Sequence, residues 1–128
     1  MELQKIIAFW KKSAGLDKKT SEDLFKSKNY VGCLFFVHLY LEKILKGLVQ
    51  KTTRETPPFI HDLLILSKIA GVELTEEQKD SLTTINTFNI RTRYLDYKLS
   101  FYKKATREYA AKYVKITEDL YQWFLNRY

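Results

Sequence analysis

One stretch of the chain, running from Tyr30 to Val49, limits most strongly what the whole sequence can fold into. Nearly all of its residues are apolar, so a helix made from it is hydrophobic on almost every side. Such a helix has to lie inside a bundle, with other helices packed around it. The exceptions His38, Glu42 and Lys46 are four residues apart and therefore form a row on one face. We interpret this row either as a solvent-facing edge of the core or as one wall of a site.

The composition favours a single helical domain over residues 1–128. The chain is long enough to bury one core without disulfides. Its 9 Tyr, 8 Phe and 2 Trp argue against a disordered chain. Only 4 Gly and 2 Pro are present, which suits long helices better than a β fold with many turns. The single cysteine, Cys33, lies in the apolar stretch and has no partner for an internal disulfide.

The sequence suggests neither a secretory signal nor a membrane-spanning segment. The sequence opens directly on a charged, periodic segment, which is not typical of a signal peptide. The central stretch is interrupted by Glu42, Lys43 and Lys46 and is too short to cross a bilayer. We therefore expect a soluble, cytoplasmic protein without a membrane segment.

Helical periodicity and capping residues together predict an all-α, up-and-down bundle of four or five helices. Asn29 is a plausible cap for the central helix, Gly71 for the end of a short one, and Thr75 opens a capping box with Gln78. The sequence predicts a connection over Tyr94–Leu99, followed by a single final helix. The five predicted helices cover residues 2–28 with a weak point at Gly15, 30–51, 62–70, 75 to about 92, and 100–126.

Charge is concentrated near the C-terminal end. The formal net charge is +7, and residues 91–128 alone hold nine basic and four acidic residues. A basic segment of this kind favours an anionic partner, such as RNA, a nucleotide or an acidic protein face. Charge by itself does not choose among them.

Several kinds of chemistry are excluded or weakened by the residues present. The chain has no Gly-rich phosphate loop and no Gly-x-Ser-x-Gly nucleophile motif. One Cys and 2 His of unrelated spacing are too few to predict a zinc site, so we predict no metal and no cofactor. The two histidines, His38 and His61, are the groups whose ordinary pKa lies closest to neutrality. His61 stands where it would cap the third helix or bond a backbone carbonyl, and this structural role competes with a catalytic one.

The strongest candidate for a binding site is the segment that follows the fourth predicted helix. It combines side chains that hold phosphate with rings that stack on bases. An alternative without a ligand is an Arg93–Asp96 ion pair in a turn covered by packed tyrosines. The members of this candidate site are Arg91, Arg93, Tyr94, Asp96, Tyr97 and Lys98, with Glu42 and Lys46 as added candidates from the central helix.

Three short blocks, in this order and at about this spacing, resemble the HEPN domain family. They are Glu42-Lys43 followed by Lys46 in the central helix, His61-Asp62-Leu63 after the loop, and Arg93-Tyr94-Leu95-Asp96. The resemblance covers essentially the whole chain. It implies a four- or five-helix bundle, a homodimer, and a minimal nucleotidyltransferase as partner in a toxin–antitoxin pair. Many members of the family are metal-independent ribonucleases, so the resemblance also implies RNA or a nucleotide as a ligand.

The ribonuclease motif of that family is an Arg followed by His four to six residues later, and this chain departs from it. Neither Arg91, Arg93 nor Arg107 has a histidine at the required distance. Leu95 also stands where the family often has Pro. The catalytic candidates that remain are Arg91 and Arg93 for the phosphate, with His38, His61 or Tyr97 as a displaced proton acceptor.

Three hypotheses follow from the sequence. The first is a binding module, namely the bundle component of a pair with a nucleotidyltransferase that contacts RNA or a nucleotide through its Arg-Tyr turn. The second is an endoribonuclease toxin that uses Arg91 or Arg93 with a non-standard base. The third is a purely structural bundle whose basic end is a solvated surface.

Overall fold

The computed structural model describes residues 2–128, except for the side chain of Thr92, and Met1 lies outside the described residues. Within that range the chain is all-α, which confirms the predicted helical bundle. Six α-helices and one short 3-10 turn follow one another along it. They are α1 (Glu2–Lys26), α2 (Tyr30–Thr53), α3 (Leu63–Ile69), α4 (Glu76–Asn86), the 3-10 turn Ile90–Thr92, α5 (Leu95–Lys104) and α6 (Arg107–Leu125).

Helix α2 is the centre of the bundle, as its apolar sequence predicts. It packs along the length of α1 on one side, and α6, α3 and α4 cover the others. Its start is fixed by Asn29, whose Oδ1 accepts a hydrogen bond from the backbone N–H of Gly32 at 2.9 Å. From Cys33 onward most of its side chains are buried. No helix among residues 2–128 combines the length and apolar character needed to span a membrane.

Gly47 allows α1 and the C-terminal residue to approach α2 closely. A Cβ atom at this position would lie 2.8 Å from Cβ of Trp10 and would overlap the Tyr128 hydroxyl. That hydroxyl donates a hydrogen bond to the backbone carbonyl of Ile44. Burial raises the pKa of the Tyr128 phenol, so the group stays protonated and keeps donating.

The two short helices begin and end as their capping residues predict. The Oγ1 of Thr75 accepts from the N–H of Gln78 at 3.1 Å, and the Gln78 side chain accepts from the N–H of Thr75 at 3.0 Å. This is the predicted capping box. After α3, Gly71 has φ of +73° and the N–H of Val72 bonds to the carbonyl of Ser67 at 3.0 Å. A left-handed residue followed by this bond is the Schellman end that Gly71 predicts.

The C-terminal third differs from the prediction. The expected connection over Tyr94–Leu99 is wrong, because helix α5 begins at Leu95, and the single last helix is divided into α5 and α6. The division has a local cause: Thr106 is an N-cap, and its Oγ1 accepts from the N–H of Tyr109 at 3.2 Å. Helix α4 also ends at Asn86, earlier than predicted, so that Arg91 lies in the 3-10 turn.

Candidate active site between the central helix and the arginine turn

The polar row on α2 is buried. His38 is 1 % exposed, Glu42 5 % and Lys46 9 %, so the interpretation of the row as a solvent-facing edge is wrong. Buried ionisable groups require partners, because losing water costs several kcal/mol for each charge. The row therefore has to be explained by what surrounds it.

Glu42 is the residue around which the other polar groups are arranged. Its Oε2 accepts from Nζ of Lys46 at 2.9 Å, and its Oε1 lies 3.0 Å from Nδ1 of His61. Nδ1 of His38 is farther away, at 3.7 Å from Oε1. One carboxylate thus neutralises a buried lysine and also binds an imidazole that comes from outside the helix.

His61 is held at two points by residues of α2. A carboxylate can only accept, so the proton of the neutral ring is on Nδ1, which donates to Glu42. The backbone carbonyl of His61 accepts from Nε2 of His38 at 3.0 Å. The side chain is 48 % exposed on its other side. Within residues 2–128 no hydrogen bond involves Nε2 of His61, so this nitrogen is available to a ligand as an acceptor.

His38 has a structural role in this arrangement. Burial, assisted by the charge of Arg91, lowers the pKa of His38 below its ordinary value, against the opposing effects of the Glu42 charge and of the hydrogen bond to the His61 carbonyl. The ring is therefore neutral at pH 7 and is fully occupied in supporting the His61 backbone. It has no access to a ligand in solution.

Asp62 and Asn86 fix the segment that carries His61. The Oδ1 of Asp62 accepts from the N–H groups of Leu64 at 2.9 Å and Ile65 at 3.3 Å, which caps α3. Asn86 on α4 donates from Nδ2 to the same oxygen at 3.0 Å. The predicted capping role of His61 is therefore wrong, because Asp62 is the cap.

A small open cleft lies where these elements meet the arginine turn. Its volume is about 230 Å³, and it is lined by His61, Asp62, Asn86, Asn89 and Arg93. The lining combines a cation, a carboxylate, an imidazole and side-chain amides. Of the sequence-predicted pairings of an arginine with a displaced histidine, this cleft contains that of Arg93 with His61.

Of the eight residues predicted for the binding site, Arg93 lines this cleft and the other seven are not among its lining residues. The guanidinium of Arg91 lies 4.6 Å from the ring centre of Phe35, and that of Arg93 lies 5.0 Å from the ring of Tyr97. Tyr94 is 87 % exposed. The predicted Arg93–Asp96 pair is absent from the ion pairs of residues 2–128, and Asp96 instead accepts from the N–H of Tyr97 at 2.9 Å. Lys98 is half-buried on α5.

The sequence profile of the HEPN domain matches residues 7–128. The chain belongs to the HEPN domain family. Comparison with curated proteins and with solved structures finds no match. The three blocks that carry the resemblance are those that meet in the HEPN fold of this chain: α2 supplies Glu42, the loop supplies His61 and Asp62, and the turn supplies Arg93.

Asn86 and Asn89 were missed as lining residues by sequence reasoning. Asn86 is the last residue of α4, and Asn89 directly precedes the 3-10 turn. Asparagine is common at helix ends, so neither position stands out in the sequence. The sequence does place four polar residues close together without a helical pattern of apolar residues: Asn86, Asn89, Arg91 and Arg93. That pattern is compatible with a solvated loop and does not by itself predict a cleft.

Proposed function

We propose that this HEPN domain binds RNA through the cleft and the arginine turn. The observation that carries the proposal is the placement of Arg93 and His61 in one small cleft, with the exposed Tyr94 next to Arg93 in the sequence. Arginine binds phosphate oxygens in a fixed fork and remains charged at every relevant pH. The 87 % exposed ring of Tyr94 is available to stack on a base.

Replacing Arg91 and Arg93 with alanine should weaken RNA binding and make it less dependent on salt. Each lost phosphate contact removes about 0.7 from the slope of log affinity against log salt for a single strand, so the double variant should lose about 1.4. The measurement is fluorescence anisotropy with a labelled single-stranded RNA, over a salt series of about 50 to 200 mM.

A Lys51→Ala/Arg127→Ala variant is the matched control, since it removes the same charge. Both residues are exposed and close together, because the Lys51 ammonium donates to the carbonyl of Arg127 at 3.3 Å. They lie about 24 Å along α2 from Phe35, the residue under Arg91, at 1.5 Å per residue. If both double variants lose the same amount of binding, the protein attracts RNA by net charge and the proposed site does not exist.

We also propose that the protein works as an assembly, as a homodimer that pairs with a minimal nucleotidyltransferase. The HEPN family supports this, and so does α5, which contacts the other helices little. Leu95, Leu99 and Tyr102 recur on one face of α5 and are 72 %, 57 % and 57 % exposed. An exposed apolar stripe of this kind is typical of a protein interface.

Light scattering at micromolar concentration should give a mass twice the 15.2 kDa of one chain. A Leu99→Asp variant should be monomeric, because a charge in the middle of an apolar interface loses its water without gaining a partner. Leu16→Asp is the control, since Leu16 is 61 % exposed on α1 and outside the stripe. A monomeric wild type would count against the dimer.

Co-expression with a minimal nucleotidyltransferase, followed by gel filtration, tests the second partner in the same way.

A second candidate function, metal-independent cleavage of RNA, is favoured by one observation. A histidine with an available ring nitrogen shares the cleft with Arg93, although it is absent from the position that the family motif requires.

A further inference from the structure

The cleft that contains Arg93 is too small to enclose a whole nucleotide. Its volume is about 230 Å³, whereas pockets that bury a small ligand have roughly 300–1,000 Å³. Arg93 can bind a phosphate there, and the carboxylate of Asp62 can accept a hydrogen bond from a ribose hydroxyl. The base of the same nucleotide then has to lie outside the cleft, against its rim.

Phe59 presents a fully exposed ring close to this cleft. It is 100 % exposed, more than any other large apolar residue that the structure describes. Phe59 comes two residues before His61, which lines the cleft, so their Cα atoms are at most about 7 Å apart. Arg93 also lines the cleft, and the next residue, Tyr94, is 87 % exposed. Two exposed rings are therefore attached near the cleft, one from loop 54–62 and one from the arginine turn.

The backbone that carries Phe59 is fixed by local contacts. Pro57 is buried, and Pro57 and Pro58 each have a φ angle that is set by the ring. The N–H of Ile60 donates to the carbonyl of Pro58 at 2.9 Å, which closes a three-residue turn around Phe59. Ile60 packs against the core, and α2 holds His61 through its carbonyl and its ring. An aromatic side chain on such a backbone loses little conformational freedom when it binds a ligand.

The surroundings of Phe59 fit a nucleobase better than a protein surface. The core of a protein interface is depleted of charged residues. In this loop, by contrast, residues 52–56 are exposed and polar, and the nearby cleft contains the charged residues Arg93 and Asp62. A single ring among polar groups offers little apolar area to a protein. It offers a complete planar face to a base, whose adjoining phosphate requires a cation.

We propose that Phe59 forms a base-stacking subsite at the rim of the cleft. The ligand is then a phosphodiester in the cleft, with one unpaired base on Phe59 and the neighbouring base on Tyr94. The inference rests on the proposed RNA binding and specifies the part of the RNA that this site recognises. A mononucleotide occupies only one of the two rings, so a dinucleotide unit is the smallest ligand that uses both.

The experiment measures binding of the full chain to a labelled oligoadenylate by fluorescence anisotropy over a salt series. A homopolymer is used because every register then offers the same base. Phe59→Ala should weaken binding about 5- to 140-fold, which is the range for one stacked base. The slope of log affinity against log salt should remain that of the wild type, because the ring contacts no phosphate. Arg93→Ala, by contrast, should lower both the affinity and the slope. A reduced slope for Phe59→Ala would overturn the stacking role.

An abasic ribose–phosphate oligomer of the same length isolates the contribution of the base. It keeps the phosphates and sugars, so the wild type should bind it more weakly than oligoadenylate. Phe59→Ala should cause no further loss with this probe, because there is no base to stack on the ring. An equal loss with both probes would overturn the inference, since the effect of the ring would then not come from a base.

Two other substitutions separate stacking from simple apolar contact. Phe59→Leu keeps an apolar side chain but removes the planar ring, so it should bind oligoadenylate about as weakly as Phe59→Ala. Phe59→Trp keeps a planar ring and should bind at least as tightly as the wild type. Wild-type affinity in Phe59→Leu would overturn the stacking role. Phe59 is exposed, and thermal melting confirms that each variant is folded.

Phe9→Ala is the matched control, because Phe9 is also an exposed ring, at 63 %, on α1. The neighbouring Trp10 donates to Gln50, which lies about 18 Å along α2 from His38, the residue bonded to the His61 carbonyl. Phe9→Ala should leave the affinity and the salt slope unchanged. If it costs as much binding as Phe59→Ala, any exposed ring promotes binding and the subsite does not exist.

The failure of this inference is distinguishable from the failure of the proposed function. If the wild type binds oligoadenylate through Arg91 and Arg93 but Phe59→Ala binds equally well, the subsite does not exist and RNA binding stands. If such a Phe59→Ala variant is also monomeric by light scattering while the wild type is dimeric, the ring belongs to a protein interface. If the wild type does not bind oligoadenylate at all, both proposals fail.

Discussion

Replacing Glu42 with alanine should lower the free energy of unfolding by about 3–5 kcal/mol, as is usual when one partner of a buried ion pair is removed. Lys46 would keep its charge with a side chain that is only 11 % exposed, and its nearest partner at 2.9 Å would be gone. His61 would also lose its anchor at 3.0 Å. Urea denaturation followed by circular dichroism measures the loss.

A second variant shows whether the cost comes from the stranded lysine. Glu42→Leu/Lys46→Met removes both charges and keeps the volume, so it should recover most of the lost stability. If the double variant is as unstable as Glu42→Ala, the stability does not depend on the ion pair.

Replacing Phe88 with alanine should cost about 3–5 kcal/mol, the range for a fully buried phenylalanine. Its side chain is 0 % exposed, and its ring lies 5.7 Å from Phe101 of α5 and 5.2 Å and 6.0 Å from Tyr113 and Tyr109 of α6. Removing this ring leaves a cavity where the segment after α4 packs against α5 and α6. The same urea titration provides the measurement.

Phe59→Ala is the control for this prediction, since Phe59 is 100 % exposed and its removal should change stability by less than about 0.5 kcal/mol. Phe88→Leu should fall between the two. A loss below about 1 kcal/mol for Phe88→Ala would mean that α5 and α6 move to fill the cavity. The aromatic contacts of Phe88 would then not be what holds these helices in place.

The sequence predicted the elements whose determinants are local. The Asn29 and Thr75 caps and the left-handed Gly71 depend on residues within one turn, and the apolar run of α2 is one continuous segment; each was confirmed. The boundary between α5 and α6 was missed because Thr106 also tolerates a helix interior. Only its side-chain bond to the N–H of Tyr109 decides in favour of a cap.

The candidate site was less predictable because its residues meet only through the fold. His61 and Glu42 are 19 positions apart, and nothing in either segment indicates that one ring nitrogen ends 3.0 Å from the other's carboxylate. The row of His38, Glu42 and Lys46 is visible in the sequence. Its spacing, however, would be the same at a solvent-exposed edge of the core and in a buried polar network. Burial decided between them, and burial depends on the packing of all the helices.

The close approach at Gly47 has a consequence for how this sequence can vary. An added Cβ would meet Trp10 at 2.8 Å, near the backbone of α1, and would displace a Tyr128 hydroxyl that is bonded to Ile44. A larger residue at 47 therefore requires α1 to move outward and a smaller side chain at 128. Which residues position 47 can accept therefore depends on the side chains at positions 10 and 128, although the three positions lie far apart along the chain.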